Sequence, residues 1–251
     1  MGSAVTEALV EYARPKPGMK VLDLASGTGE PAISLSGRVG PQGHVTASDL
    51  SAELLEIAAS RAQQRGLTNF SVKKADAQDL PFPDQSFDLV TCRFGVMFFA
   101  DFGKALLEAH RVLKPGSRAC FVVWGPFEQP YFATSMGVVL KHVGGTAIPP
   151  GGADPFRFAR PGSLSAALHR AGFGPVEEKK EILPWTWPGS AEEVWEYIRS
   201  VTAPLKPLLD RVPEEKWDQI NAEVRAAIQK YSDGDKIKFG ATVVLASGMK
   251  S

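Results

Sequence analysis

The sequence predicts an α/β protein in which one largely parallel β-sheet is wrapped by helices. Short apolar runs alternate with segments of helical spacing through the first half of the chain, a pattern typical of parallel strands joined by helices. A chain of 251 residues with 44% apolar and 22% charged residues can form the core that such a sheet needs. We therefore expect a single domain over residues 1–251, with a regular core at 15–125.

Five strands and four helices are predicted in alternation within this core. The strands are expected at 20–24, 44–48, 70–73, 87–92 and 119–124, and the helices at 5–12, 31–38, 51–65 and 104–113. The third helix has a suitable N-cap in Ser51 and is followed by Gly66, which can close it. Lys114-Pro115-Gly116 is predicted to end the fourth helix as a turn.

The second half of the chain is less regular, with glycine and proline clusters at 144–152 that predict an irregular stretch. A short helix is expected at 163–171 and an edge strand at 176–183. Ser190 and Glu193 have the spacing of a capping box, which predicts a helix through Ile198. Apolar residues recur at helical spacing over 213–231, and a last strand is predicted at 237–246.

Composition and charge favour a cytoplasmic protein that acts on a small molecule. The 28 basic residues equal the 28 acidic ones, so no overall field attracts nucleic acid or an anionic membrane. No apolar run is long enough to span a bilayer, and no leader-like segment is expected. The two cysteines, Cys92 and Cys120, lie in apolar strand-like runs and are interpreted as buried thiols. No spacing of His, Cys, Asp or Glu indicates a metal site.

A glycine turn follows the first predicted strand and suggests a nucleotide-like ligand. In open α/β sheets, ligands bind at the carboxyl ends of the strands, where Gly27-Thr28-Gly29 is expected to lie. Glycine permits a close backbone approach to a ligand, and the following helix N-terminus favours electronegative groups. Asp49, which ends the second strand, can accept hydrogen bonds from both hydroxyls of a ribose. This pattern also fits a nicotinamide-binding turn.

Three further features distinguish these alternatives. Asp23 stands inside the first strand, four residues before the glycines; Asp76-Ala77 follows the third strand and precedes the segment 80–90; and the segment 108–116 leads into the fifth strand. Together they resemble the class I S-adenosylmethionine-dependent methyltransferases, in particular the group related to ubiquinone and menaquinone C-methyltransferases. The resemblance covers roughly residues 17–123.

The resemblance implies a Rossmann-like, doubly wound sheet of seven strands in the order 3-2-1-4-5-7-6, with the seventh strand antiparallel. The strand at 176–183 would be the sixth and that at 237–246 the seventh, with a helical insertion between them. The segments 126–162 and 188–233 would then be the variable substrate-side or lid regions.

The resemblance also implies an S-adenosyl-L-methionine site, with S-adenosyl-L-homocysteine as product. Asp49 would bind the ribose hydroxyls, Leu50 would pack on the adenine, and Asp76 and the Ala77 amide would hydrogen-bond the adenine. The complete set of implied cofactor-binding residues is Asp23, Ala25, Gly27, Gly29, Asp49, Leu50, Asp76, Ala77 and Arg93.

The loops that the family varies are aromatic here, which favours a small, apolar or aromatic methyl acceptor. The residues expected to contact it are Phe98, Trp124, Phe127 and Tyr131. The loop 94–99 lacks the polar Arg-Asn pair expected in quinone C-methyltransferases, and the helical insertion is longer than theirs. The acceptor is therefore expected to differ from a quinone precursor.

Methyl transfer from a sulfonium is an in-line displacement that depends on positioning and needs no strong base. The sequence assigns no catalytic residue. Among the four histidines, His142 is the best candidate for a base because it lies in the variable segment. Two other interpretations remain at this stage, a nicotinamide-dependent oxidoreductase and a catalytically silent cofactor-binding module.

Overall fold

The computed structural model describes residues 2–251, which form one mixed β-sheet with helices on both faces. The strands are β1 (Lys20–Leu24), β2 (His44–Asp49), β3 (Phe70–Lys74), β4 (Phe87–Arg93), β5 (Leu113–Trp124), β6 (Val176–Pro188), β7 (Ser232–Asp233) and β8 (Lys236–Met249). The helices are α1 (Ser3–Ala13), α2 (Ala32–Val39), α3 (Ala52–Gln64), α4 (Phe102–Val112), α5 (Pro130–Ala133), α6 (Met136–Val143), α7 (Ser163–Arg170), α8 (Ala191–Val201), α9 (Lys206–Leu209) and α10 (Trp217–Gln229).

The strand order is β3-β2-β1-β4-β5-β8-β6, with the short β7 paired to β8. Strands β1 to β5 pair in parallel with one another, whereas β8 runs antiparallel to both β5 and β6. The predicted order and the antiparallel strand are therefore confirmed, with β8 in the place of the seventh strand. The two-residue β7 is an addition that the sequence did not predict.

The central strands are apolar along their length because helices cover both faces of the sheet. Successive residues of β1 belong to different core clusters: Val21 to the cluster that includes residues of α1 and α2, and Leu22 to the cluster that includes residues of α4 and α7. Both cysteines are buried among these strands and form no disulfide. The carboxyl ends of β1, β2 and β4 are thereby held at one rigid edge.

The strands β5 and β6 extend furthest beyond their predicted bounds. The expected Pro115-Gly116 turn lies within β5, where the register with β4 passes from Phe87 opposite Leu113 to Leu89 opposite Arg118. The intervening residues bulge out, and Gly116 adopts a φ of 76° that favours glycine. The edge strand β6 continues past Leu183 to Pro188 because it stays paired with β8 throughout.

The predicted helical insertion between β6 and β8 is present as α8, α9 and α10. Ser190 and Glu193 form the expected capping box at the start of α8. The predicted helix at 213–231 is shorter and begins as a 3₁₀ turn at Glu214–Lys216 before α10. Trp195 of α8 donates to Asn221 of α10 at 2.8 Å, which fixes the two helices against each other.

Within residues 2–251, every helix is too short or too polar to cross a bilayer. The same residues include no cluster of three or more His, Cys, Asp or Glu side chains that could hold a metal ion.

Candidate functional site

The turn after β1 is built from residues with left-handed backbone conformations. Ala25 has a φ of 51°, Gly27 of 52° and Gly29 of 111°. The φ of Gly29 favours glycine, and a Cβ there would also lie 2.7 Å from Cδ1 of Ile33, so that side chain would have to move. A Cβ at Gly27 would meet nothing within 4 Å. The backbone at Gly27 is therefore open to a ligand.

Asp49, the last residue of β2, ties this turn to the start of α3. Its Oδ2 accepts a hydrogen bond from the Gly27 amide at 2.9 Å, and its Oδ1 accepts one from the Ser51 amide at 3.0 Å. Each carboxylate oxygen has room for a second hydrogen bond. The carboxylate is thus held in place and retains two acceptor positions.

Asp23 is fully buried beneath the same turn. Its position opposite Thr91 in the β1–β4 register lets the Thr91 hydroxyl donate to Oδ1 at 2.6 Å. Oδ2 is also buried and has no hydrogen-bond partner within residues 2–251. Burial raises the pKa of Asp23 to about 7, although the Thr91 hydrogen bond and the charge of Arg93 oppose this shift. A buried carboxylate with an unpartnered oxygen favours a cationic group nearby.

Asp76 lies in the tight turn after β3 and hydrogen-bonds its own loop. Its Oδ1 accepts from the Gln78 backbone amide at 2.9 Å and from the Gln78 side chain at 3.1 Å. These hydrogen bonds lower the pKa of Asp76. The Gln78 side chain also accepts from the Asp101 amide at 2.6 Å, which joins this loop to the start of α4.

These residues surround a cleft of about 360 Å³ at the carboxyl edge of the sheet. Its lining comprises Ala25, Ser48, Asp49, Leu50, Ala75, Asp76, Ala77, Gln78, Phe94, Gly95, Phe98, Phe99 and Ala100. Leu50 is 62% exposed and Phe98 is 41% exposed, which is unusual for large apolar side chains. The cleft therefore brings together five of the nine predicted cofactor residues. Asp23, Gly27 and Gly29 do not line it, although the Gly27 amide donates to Asp49.

Arg93 lies apart from this cleft. It is the last residue of β4 rather than part of the following loop, and its Nη1 donates to Thr6 of α1 at 3.1 Å. Burial lowers the pKa of Arg93, and its Nε has no partner within the described chain. Arg93 thus connects α1 to the end of the sheet, close enough to Asp23 to affect its pKa.

A second cavity of about 310 Å³ adjoins the first and shares Phe98 with it. Its walls come from the ends of β5 and β6, from α5 and from the helical insertion. They comprise Phe98, Trp124, Tyr131, Phe132, Pro155, Trp185, Tyr197, Val201, Thr202, Pro204 and Leu205, none of which is charged. Three of the four predicted acceptor residues are among them.

Phe127 is the predicted acceptor residue that does not line this cavity. It stacks behind the wall against Phe132, with ring centroids 6.2 Å apart, and meets Phe156 edge to face. Trp185 and Tyr197 were not predicted, because they come from β6 and α8 and carry no local motif. Tyr197 is an aromatic residue within the predicted substrate-side segment 188–233, whereas Trp185 lies before that segment and had only its aromatic side chain as a sign.

The candidate base, His142, lies outside both cavities. Its Nε2 lies 2.8 Å from Oε2 of Glu223, a contact that joins α6 to α10. The geometry therefore gives His142 a structural contact and supplies no evidence for a role as base.

The chain matches known proteins most strongly in its first half. The model of the ubiE/COQ5 methyltransferase family matches residues 5–144. The ubiquinone/menaquinone biosynthesis C-methyltransferase UbiE of Xanthomonas oryzae pv. oryzae is 48% identical over 111 residues, covering 44% of this chain and 44% of that protein. The UbiE of Shewanella oneidensis is 41% identical over 110 residues, covering 43% and 44%. The matched stretch thus spans less than half the length of these curated relatives.

Solved structures share the fold over most of the chain. The YcgJ protein of Bacillus subtilis has a TM-score of 0.62 at 24% identity and covers 98% of this chain and 97% of its own. A SAM-dependent methyltransferase from Aquifex aeolicus has a TM-score of 0.53 at 25% identity, covering 70% and 81%. The family match extends over more than half of the chain and includes the glycine turn, Asp49 and the loop of Asp76. The chain therefore belongs to the ubiE/COQ5 methyltransferase family.

Proposed function

We propose that this protein transfers a methyl group from S-adenosylmethionine to a small, apolar or aromatic acceptor. The observation that carries the proposal is the pair of adjoining cavities that share Phe98. One is lined by the residues that the family resemblance assigns to the cofactor, and the other is aromatic and uncharged. A donor in the first cavity and an acceptor in the second would meet at this shared wall.

The residues of the first cavity fit S-adenosylmethionine chemically. Asp49 retains an acceptor position on each oxygen for the two ribose hydroxyls, and the exposed Leu50 offers an apolar face to the adenine. The buried Oδ2 of Asp23 has no partner within residues 2–251, and a cationic group bound at this turn would favour the ionised form of the carboxyl, whose pKa burial raises to about 7. A volume of about 360 Å³ falls within the usual range for small-molecule sites.

When bound, the cofactor supplies a methyl group already activated by its sulfonium. The protein then has to position the acceptor and exclude water, which together account for a large part of such a rate enhancement. Phe94 and Trp124 stack at 4.3 Å between ring centroids and make a flat wall beside both cavities. The aromatic rings can also stabilise positive charge at the reacting end.

In this proposal the single domain is divided by role. The core at 15–125 provides the cofactor side, whereas the segments 126–162 and 188–233 provide most of the acceptor side. Tyr131 and Pro155 from the first segment and Tyr197 and Leu205 from the second support this division.

Transfer of a labelled methyl group into a fractionated cell extract tests the proposal. The protein is incubated with methyl-labelled S-adenosylmethionine, and we expect the label in an apolar product of low mass, identified by mass spectrometry. The Asp49→Ala variant, which should bind the cofactor poorly, is the matched control. Binding of S-adenosylmethionine without transfer to any fraction would instead support a silent binding module. Oxidation of a reduced nicotinamide would support the oxidoreductase.

A further inference from the structure

Gln78 lines the first cavity and is hydrogen-bonded to two segments of its wall. Its Nε2 donates to Oδ1 of Asp76 at 3.1 Å and to Oδ2 at 3.2 Å, and its Oε1 accepts from the Asp101 amide at 2.6 Å. A carboxylate only accepts hydrogen bonds and a backbone amide N–H only donates them. A single orientation of the Gln78 side chain therefore satisfies both neighbours, and it needs both the donor and the acceptor of an amide.

These contacts determine which acceptor position of Asp76 stays free. Oδ1 accepts from the Gln78 backbone amide at 2.9 Å and from the Gln78 side chain, which uses both of its acceptor positions. Oδ2 accepts from the Gln78 side chain alone among residues 2–251 and retains one position. The same hydrogen bonds lower the pKa of Asp76, so its carboxyl is ionised at neutral pH. Asp76 thus keeps one free acceptor position on a carboxylate whose other positions are occupied.

The contact with Asp101 holds a second segment of the wall. Asp101 is the N-cap of α4, and its side chain accepts from the Lys104 amide at 2.9 Å. Residues 98–100, which come directly before it, line the same cavity. Gln78 therefore joins the loop of Asp76 to the segment that leads into α4, and both ends of this bridge are fixed by further hydrogen bonds.

We propose that Gln78 is a positioning residue that directs the free oxygen of Asp76 to the exocyclic amino group of the cofactor's adenine. The inference rests on the proposed function, in which Asp76 binds the adenine. It adds that recognition of this amino group depends on a neighbour of the carboxylate. Without the Gln78 amide the carboxylate would lose its fixed orientation, and ordering it again on binding would reduce the affinity for the amino group.

A comparison of S-adenosylhomocysteine with its analogue that lacks the exocyclic amino group tests this inference. The analogue carries hydrogen in place of that group and keeps every ring nitrogen, so the ratio of the two Kd values reports this contact. Both are measured by isothermal titration calorimetry. The wild type should prefer S-adenosylhomocysteine by about tenfold, the lower end for a hydrogen bond to a charged group, because Asp76 is only half-buried. Gln78→Ala should reduce the preference to about threefold or less.

Gln78→Glu separates the two kinds of hydrogen bond that the side chain makes. Glutamate has the same length and keeps an oxygen for the Asp101 amide, but an ionised glutamate cannot donate to Asp76. It could replace a residue that acted only through Asp101, whereas it cannot replace one that orients Asp76. We therefore expect Gln78→Glu to lose the preference as fully as Gln78→Ala does.

Gln219→Ala is the matched control. Gln219 also donates to a carboxylate, that of Glu223 at 2.9 Å, but it lies on α10 and lines neither cavity. Its replacement should leave both Kd values unchanged. A residue that only stabilises the fold would weaken the binding of both ligands by the same factor, so the ratio of their Kd values distinguishes positioning from a structural role. Thermal melting establishes that each variant is folded.

A folded Gln78→Ala or Gln78→Glu protein that keeps the preference of the wild type would overturn the inference. A wild type that binds S-adenosylhomocysteine and its analogue equally would also overturn it, while the proposed function would stand because the cofactor product still binds. If S-adenosylhomocysteine does not bind to the wild type, the proposed function itself fails.

Discussion

Removal of the Asp49 carboxylate should weaken cofactor binding strongly. Its two oxygens accept backbone hydrogen bonds of 2.9 and 3.0 Å from Gly27 and Ser51, and in the proposed complex they also accept from the ribose. A hydrogen bond to a charged group contributes roughly 1.5–3 kcal/mol, and we take this as the total loss because water can replace part of the hydrogen bonding to the ribose. Asp49→Ala should therefore raise the Kd for S-adenosylhomocysteine about 10- to 150-fold, as measured by isothermal titration calorimetry at 25 °C.

Asp84→Ala serves as the control for this experiment. Asp84 is an exposed carboxylate that pairs with Arg111 at 2.7 Å and does not line either cavity, so its loss should not change the Kd. Circular dichroism establishes that both variants are folded. An Asp49→Ala protein that is folded and binds within twofold of the wild type would refute the assignment of Asp49 to the ribose.

Three other perturbations probe the shared wall, the close packing beneath it and the buried acid. Phe98 lines both cavities, so Phe98→Ala should reduce both the affinity for the cofactor and the turnover of the acceptor by roughly tenfold. Tyr197 lines only the second cavity, so Tyr197→Ala should reduce only the turnover. An equal loss of cofactor affinity in both variants would contradict the separation of the cavities. Gly95→Ala would place a Cβ 2.5 Å from its nearest neighbour and should lower the free energy of unfolding in urea by about 1–3 kcal/mol. Gly37 lies within α2, where a Cβ would meet nothing within 4 Å, so Gly37→Ala should raise the free energy of unfolding by about 0.5–1 kcal/mol. A less stable Gly37→Ala protein would contradict the open surroundings of this residue. The pKa of Asp23 is raised to about 7 in the folded protein, which therefore retains a proton between about pH 4 and pH 7 that the unfolded chain releases. The contribution of Asp23 to the free energy of unfolding therefore decreases as the pH rises through that range. Asp23→Asn should remove this decrease in stability between about pH 4 and pH 7. Parallel pH profiles of the free energy of unfolding in urea for the variant and the wild type would contradict the raised pKa of Asp23.

The fold could be predicted largely because the signals of its core are local. Each central strand is a short apolar run bounded by turn residues, and the start of α8 has a complete capping box in sequence. The predicted bounds are too short where hydrogen bonding to a neighbouring strand extends a strand beyond its apolar run. Pro115 and Gly116 indicate a turn, yet the hydrogen bonds of Gly116 and Ser117 with Lys250 keep the segment attached to the end of β8.

The two cavities differ in how far the sequence could predict them. The cofactor side depends on residues that each follow a strand, so their positions in the chain place them at the same edge of the sheet. The acceptor side is assembled from β5 and α5 and from β6 and α8, and these two pairs lie more than forty residues apart in the chain. Phe127 and Tyr131 lie in the same aromatic stretch of the sequence, but only Tyr131 lines the cavity, because the path of the backbone decides which ring reaches it.

The segment from Phe94 to Phe98 connects the two halves of the site. Phe94 has a φ of 57° and Ala25, at the end of β1, has a φ of 51°; such conformations are unfavourable for side-chain-bearing residues and persist only where the surrounding structure enforces them. Gly95 lies against Ala25 with no room for a Cβ. The wall between the cavities is therefore rigid and is fixed by the cofactor side. Changes at Tyr197 or in the α8–α9 connection could alter the acceptor without disturbing that wall. The family's cofactor motif can then be retained while the acceptor changes, and the acceptor has to be inferred from the residues that line the second cavity.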